Sequence, residues 1–374
     1  MKIAIVCYPT FGGSGVVATE LGLALSHRGH EVHFITYKQP VRLEILNRSL
    51  HFHEVNVPDY PLFHYQPYEL ALSSKLVDTV KTYGIELLHV HYAIPHAYAG
   101  YMAKQMLKDQ GIDLPIVTTL HGTDVTLVGK HPFYKPAVAF SINHSDCVTS
   151  VSESLKQDTL DVFEVHKEIK VIPNFVDFSK HQHHDEDCQR SLIAQDDQKI
   201  ITHISNFRKV KRIDDVIEVF YRVQKEVNSI LIMVGDGPER LKAMEACEKL
   251  GIDDRVKFLG KSNQVYQILC YSDLFLLPSA SESFGLAALE AMMMRVPVIS
   301  TNVGGLPEVN IDGESGYLFG LGDVSNMADK SISLLKDDEK LESMKDSAYA
   351  LAKRFDIDAV VNQYIAVYKD ALVR

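Results

Sequence analysis

The chain has 374 residues, 46% of them hydrophobic and 23% charged, and its 38 Lys and Arg against 49 Asp and Glu leave a formal net charge of -11. That length exceeds one ordinary hydrophobic core and fits roughly two domains of about 150 residues each. The acidic balance argues against a broad nucleic-acid or anionic-membrane surface, which needs clustered Lys and Arg in excess. Five scattered cysteines, Cys7, Cys147, Cys188, Cys247 and Cys270, form no C-x-x-C pair and suggest neither a disulfide framework nor a zinc site. The opening "MKIAIVCYPTFGGSG" does not resemble a secretory signal, and no run approaches the ~20 apolar residues of a membrane span, so a soluble cytoplasmic protein is expected.

In chain order, "KIAIVCY" predicts a strand, "GVVATELGLALSHRG" a helix, and "HEVHFITY", "IELLHVHYA", "LPIVTTLHG" and "DCVTSVS" further strands. Apolar runs alternating with amphipathic segments mean a parallel sheet covered on both faces. "KVIPNFVDFSKHQHHDEDCQR" then starts like a strand and turns polar after Pro173 and Asn174, which makes it the candidate linker. Its His181, Gln182, His183 and His184 read better as a solvated loop than as a metal site, because no partner ligand stands at helical or hairpin spacing. The second half repeats the grammar with six strands, "KIITHISNF", "SILIMVG", "RVKFLG", "DLFLLPS", "VPVIST" and "SGYLF". Helical patterns such as "DDVIEVFYRVQKEV" and "PERLKAMEACEKL" separate them. The expected domains are 1–175 and 176–355, followed by an amphipathic terminal helix over 356–374 whose docking partner the pattern leaves open.

In doubly wound sheets, ligands bind beyond the carboxyl ends of the strands, so the loops that follow strands carry the chemistry. After the first strand, Gly12, Gly13, Ser14 and Gly15 open a helix where backbone amides can approach a ligand, although a plain tight turn is an equal reading. The loop is not G-x-G-x-x-G, and no acidic residue ends the second strand, which disfavours an NAD-dependent oxidoreductase. "HVHYAIPHA" and "TTLHGTD" bring His91, Tyr92, Thr119, His121 and Asp124 to strand ends, a set suited to a small polar ligand. "ISNFRKVKRIDD" places Arg208, Lys209, Lys211 and Arg212 before a helix, where cations oppose the helix dipole unless an anion is bound. Gly235, Asp236 and Gly237 follow another strand, either as a phosphate loop or as a turn. In "SESFGLAALEAMMM", Glu282 lies in a turn and Glu290 about two turns into a helix, with the amides of Ser283, Phe284, Gly285 and Leu286 between them.

Taken together, these motifs resemble the retaining glycosyltransferases of the family-4 type. The E-x7-E signature runs from Glu282 to Glu290, preceded in order by "GGSG", "LHGTD", "SNFRKVK" and "GDGPE". The resemblance covers essentially the whole chain and implies a GT-B fold, in which two Rossmann-like doubly wound lobes face an interdomain cleft. Arg208 and Lys211 are separated here by Lys209 and Val210 alone, a closer spacing than is usual in the family. That form is similar to the branch that transfers N-acetylglucosamine from UDP-GlcNAc to the hydroxyl of L-malate at the start of bacillithiol biosynthesis.

The resemblance assigns Arg208 and Lys211 to the departing pyrophosphate, and Glu282 and His121 to orienting the sugar. It assigns donor contacts to Gly13, Asn206, Gly235, the amides of Ser283, Phe284, Gly285 and Leu286, and to Glu290 at the ribose. It puts Ser14, Tyr92 and Thr119 at the acceptor. Attack is expected on the face that the leaving group departs from, with a donor phosphate oxygen taking the acceptor proton. No enzyme nucleophile and no obligatory metal or other cofactor are then needed. The resemblance allows a homodimer and implies neither a nucleic-acid nor a membrane partner. Rival readings are a GT-B enzyme with another acceptor and a UDP-sugar epimerase.

Overall fold

The computed structural model describes residues 1–374 except 11, 44–46, 60, 62–63, 182–189, 196 and 374. Of the histidine-rich run, Gln182, His183 and His184 therefore lie outside the described residues. The chain divides into two compact units, Met1–Asn174 with Ile357–Arg374, and Phe175–Asp356.

In the first unit seven strands run β1 (Lys2–Val6), β2 (Glu31–Thr36), β3 (Leu50–Glu54), β4 (Leu87–His91), β5 (Ile116–Leu120), β6 (Cys147–Ser150) and β7 (Ile169–Val171). They form one sheet in the order β3-β2-β1-β4-β5-β6-β7, and every pair is parallel. Its helices are α1 (Gly13–His27), α2 (Tyr68–Tyr83), α3 (Tyr98–Lys108), α4 (Lys135–Asn143) and α5 (Glu153–Val162). Ala4, Val6, Leu88 and Val90 pack with Leu72, Leu76, Ala99 and Ala103 of α2 and α3 on one face of the sheet. Strand alternation turns Ile3 and Ile5 the other way, towards α1, where Gly22 lets Phe34 and Ile5 approach closely. β3 is a strand that apolar alternation did not predict, because "LHFHE" gives three of its five positions to charged or titratable side chains.

The second unit holds β8 (Lys199–Ile204), β9 (Ser229–Val234), β10 (Val256–Gly260), β11 (Leu274–Leu277), β12 (Val298–Thr301) and β13 (Gly316–Phe319). They form a parallel sheet in the order β10-β9-β8-β11-β12-β13. Its helices are α6 (Ile213–Val223), α7 (Arg240–Leu250), α8 (Val265–Cys270), α9 (Leu286–Met293), α10 (Leu306–Val309), α11 (Val324–Leu335) and α12 (Asp338–Ala352). α6 shows the logic of the layer: Ile213, Val216, Ile217, Phe220 and Val223 recur at helical spacing and are buried. With Ile201, Leu231, Met233 and residues of α11 and α12 they form one core, while Ile200, Ile230, Ile232 and Val234 face the opposite side. Cys7, Cys147 and Cys247 carry free thiols, but Cys270 is in a disulfide. This corrects the expectation of none, since linear spacing does not report distance in the fold.

The last helix, α13 (Ile357–Val373), belongs to the first unit. Two fully buried tyrosines anchor it. The Tyr368 hydroxyl lies 2.8 Å from His89 Nδ1, and Tyr364 hydrogen-bonds Thr119 and Thr149. Lys170 adds an ion pair to Asp370 at 2.6 Å. No helix among the described residues is long and apolar enough to cross a membrane. Replacing Tyr368 with Phe strands a buried imidazole nitrogen, so Tyr368→Phe is expected to lower the unfolding free energy by about 1–3 kcal/mol in urea denaturation.

Candidate functional site

Both sheets reverse their winding direction beside the first strand of the unit, at β1/β4 in one and β8/β11 in the other. Crevices for ligands open at such switch points, beyond the carboxyl ends of the strands. The residues singled out from sequence cluster at these two places, and each unit carries a different chemistry.

In the first unit, Gly12 caps α1 and leaves Gly13 and Ser14 at the helix start immediately after β1. Across the switch point, the Tyr92 hydroxyl donates to Ser14 Oγ at 2.6 Å. Tyr92 holds a left-handed backbone, φ 86°, an uncommon conformation for a residue with a side chain. His91 Nδ1 and His121 Nε2 are 2.7 Å apart and share a proton. His96 Nδ1 lies 2.6 Å from the His91 carbonyl oxygen. Beneath them the Asp124 carboxylate accepts from the amides of Ala93 at 2.9 Å and Gly122 at 3.0 Å, tying the loop after β4 to the loop after β5. Burial raises its pKa and those backbone bonds oppose the rise.

Thr119 does not join this group. It is fully buried, 2.7 Å from both His89 Nε2 and Thr149 Oγ1, so the sheet and α13 take up the hydroxyl that the sequence reading offered to the acceptor. Burial also holds the imidazoles neutral: the pKa falls to about 3 for His89 and His121 and to about 4 for His96, and well below the ordinary value for His91. Apart from Asp124, whose carboxylate is taken up by backbone amides, the strand ends of this unit therefore present neutral hydrogen-bonding groups, which suit hydroxyls better than phosphates.

In the second unit the cations are at the strand ends. Lys211 and Glu282 form an ion pair, with their side chains 18% and 13% exposed. Ser279 Oγ donates to the same carboxylate oxygen, Glu282 Oε1, at 2.9 Å. Among the described residues, Oε2 takes no hydrogen bond and stays available to a ligand. Arg212 spends its guanidinium on Asp215 in the first turn of α6, which answers the opposition between that cation and the helix dipole. Arg208 and Asn206 are exposed, and Arg208 makes no ion pair among the described residues.

Four loops are tied together here. Ala280 N donates to the Val210 carbonyl at 2.8 Å, Gly305 N to the Glu282 carbonyl at 2.9 Å, and Glu239 N to the Phe207 carbonyl at 2.9 Å. Two of these approaches demand glycine. A Cβ on Gly235, φ +126°, would fall 1.8 Å from the Ser205 carbonyl oxygen, and one on Gly304, φ +55°, would fall 1.9 Å from that of Glu282.

Gly285 caps α9, so the helix starts at Leu286 and Glu290 lies about one turn into it rather than two. Phe284 is buried and its ring packs edge-on against Phe355, 5.6 Å between centroids, so the backbone rather than the ring faces the strand end. Glu290 is 9% exposed in α9 and accepts from the Tyr266 hydroxyl at 3.4 Å. Tyr266 and Ser279 escaped the sequence reading. Ser279 precedes Glu282 by three residues in the same turn and was within reach of it, whereas nothing local connects Tyr266 to Glu290.

Residues 11–180 match the family described as Glycosyltransferase Family 4, and residues 185–351 match Glycosyl transferases group 1. Along its whole length the chain is 46% identical to the N-acetyl-alpha-D-glucosaminyl L-malate synthase of Bacillus anthracis, covering 97% of that protein. The chain belongs to the family-4 glycosyltransferases. In fold this glycosyltransferase is similar to HepE of Anabaena, solved in complex with UDP-glucose, with a TM-score of 0.83, 21% identity and 99% of each chain covered. It is equally similar to sucrose-phosphate synthase from Thermosynechococcus elongatus, with a TM-score of 0.82, 21% identity, and coverage of 100% of this chain and 99% of that one. Both units have the Rossmann strand order, and the fold is GT-B.

The buried imidazoles make the stability of this glycosyltransferase depend on pH. In the unfolded chain His89, His91, His96 and His121 protonate near the ordinary value of about 6.5, whereas the fold keeps them neutral to much lower pH. The unfolded state then binds more protons, and stability falls as pH falls below about 6.5, by up to about 1.4 kcal/mol per pH unit for each histidine. Urea unfolding followed from about pH 7 to about pH 5 should show this decline; a flat profile would mean that the imidazoles are protonated in the fold.

Proposed function

We propose that this glycosyltransferase moves N-acetylglucosamine from UDP-GlcNAc to the hydroxyl of L-malate, with retention at the anomeric carbon, as the first step of bacillithiol biosynthesis. The observation that carries the reading is the Lys211–Glu282 pair at the second unit's strand ends, with Arg208 exposed nearby in sequence. Glycosyl transfer from a nucleoside diphosphate develops negative charge on the departing pyrophosphate. Fixed cations stabilise that charge most when they need not reorganise. Glu282, held through one oxygen by Lys211 and Ser279, orients the ammonium and offers its other oxygen to a sugar hydroxyl.

Glu290, supported by Tyr266, is assigned to the ribose hydroxyls, and the amides at the start of α9 to phosphate and sugar. Asn206, Gly235 and Gly13 complete the donor contacts. In the first unit, His121 is assigned to the sugar, and Tyr92 and Ser14, already hydrogen-bonded to each other, to the acceptor. The acceptor and the pathway rest on the name of the Bacillus anthracis relative and on its identity over the whole chain. With arginine and lysine neutralising the pyrophosphate, transfer needs no obligatory metal.

The test is to incubate the enzyme with UDP-GlcNAc, with and without L-malate, and to measure UDP release and the anomeric configuration of the product. Release that needs malate and gives the α-linked product supports the reading, and release indifferent to malate overturns the acceptor. Lys211→Ala is expected to lower kcat by about 10²–10³-fold with little change in the malate KM. Wild-type turnover in that variant would displace the pyrophosphate role.

A further inference from the structure

Strand β3 runs along the edge of the first unit's sheet, paired in register with β2, so that His51 sits beside His33 and His53 beside Ile35. Side chains alternate along both strands, which brings Glu31, His33, His51 and His53 to one face of that edge. Glu31 Oε1 lies 3.1 Å from His33 Nε2 and 3.3 Å from His51 Nε2. One ligand atom from each of these three residues lies within 4.8 Å of the other two. A tetrahedral zinc ion bound at about 2.0–2.2 Å requires ligand atoms about 3.3–3.5 Å apart. The two oxygen-to-nitrogen edges of such a tetrahedron thus already stand near their final length.

The surroundings are those of a ligand set whose outer hydrogen bonds are in place. His33 Nδ1 lies 2.9 Å from His53 Nε2, so a shared proton can settle the His33 tautomer that leaves Nε2 free to ligate. The other oxygen of Glu31 is 3.4 Å from Lys2 Nζ, which itself donates to the Tyr83 carbonyl at 3.0 Å, leaving Oε1 for one-oxygen coordination. The Tyr83 ring packs 4.9 Å from both the His33 and His53 rings and fixes their planes. The His33 side chain is fully buried, whereas those of Glu31 and His51 are 32% and 34% exposed. An ion can therefore enter from solvent and keep a water as its fourth ligand.

We propose that Glu31, His33 and His51 bind one zinc ion that clamps edge strand β3 to β2. Two imidazoles and one carboxylate suit zinc, whereas magnesium and calcium prefer oxygen donors throughout. The cluster sits towards the amino ends of the strands, the opposite edge of the sheet from the loops described above. The ion is therefore a structural ligand of the first unit and takes no part in glycosyl transfer.

The experiment uses the full chain, stripped with a chelator and freed of any affinity tag. It is titrated with zinc by calorimetry, and retained metal is counted by mass spectrometry after gel filtration. One equivalent is expected per chain, together with a zinc-dependent rise in the thermal midpoint. Both should be lost in His51→Asn and in Glu31→Gln, whose side chains are partly exposed and can change without opening the core; their midpoints without zinc report whether they fold. A variant with His181, His183 and His184 all replaced by Asn should keep the equivalent. No uptake by the stripped wild type, uptake that survives in both His51→Asn and Glu31→Gln, or loss confined to the variant at 181, 183 and 184 would each overturn the assignment.

Discussion

Parallel pairing imposes the constraint on which everything else rests. When all strands of a sheet run the same way, every loop that follows a strand leaves from one edge, and a reversal of winding beside the first strand keeps two of those loops from covering each other. Each unit has that reversal, at β1/β4 and at β8/β11. Residues as far apart in sequence as Ser14 and Tyr92, or Lys211 and Glu282, meet there because strand direction and strand order leave them no other place.

The two switch points share a geometry and differ in charge. Around β4 and β5 the polar groups are imidazoles, hydroxyls and the Asp124 carboxylate, which is spent on backbone amides, and burial keeps the imidazoles uncharged. After β8 and β11 the groups are cations and carboxylates. One Glu282 oxygen is spent on Lys211 and Ser279, and among the described residues the other takes no hydrogen bond. Buried carboxylate and ammonium are costly apart and tolerable together. The pair therefore holds the ammonium in position.

The same alternation of strand side chains that makes a core can also gather polar groups. In β1, Ala4 and Val6 pack into a core on one face of the sheet, and in β8, Ile201 packs into one core and Ile200 and Ile204 into another. In β2 and β3 the same two-residue period brings Glu31, His33, His51 and His53 to one side of a sheet edge. β2 keeps Val32, Phe34 and Ile35 and was legible, whereas β3 has only Leu50 and Phe52 among its histidines and glutamate and was not.

From the sequence by itself came the α/β class, the repetition of the fold in two halves, and most of the strand-end residues. All of these depend on short-range signals: apolar period, glycine where a Cβ would collide, and glutamates eight residues apart in one turn and helix. Tertiary structure decided what depends on contacts across the chain. It put α13 on the first sheet through Tyr364 and Tyr368 and turned Thr119 inward to His89 and Thr149. It brought Tyr266 to Glu290 and closed a disulfide at Cys270. A hydroxyl on a strand end reads the same whether it faces solvent or a buried imidazole. Only the packed neighbours determine which, because the cost of leaving a buried polar group unpaired selects its partner after the backbone has been placed.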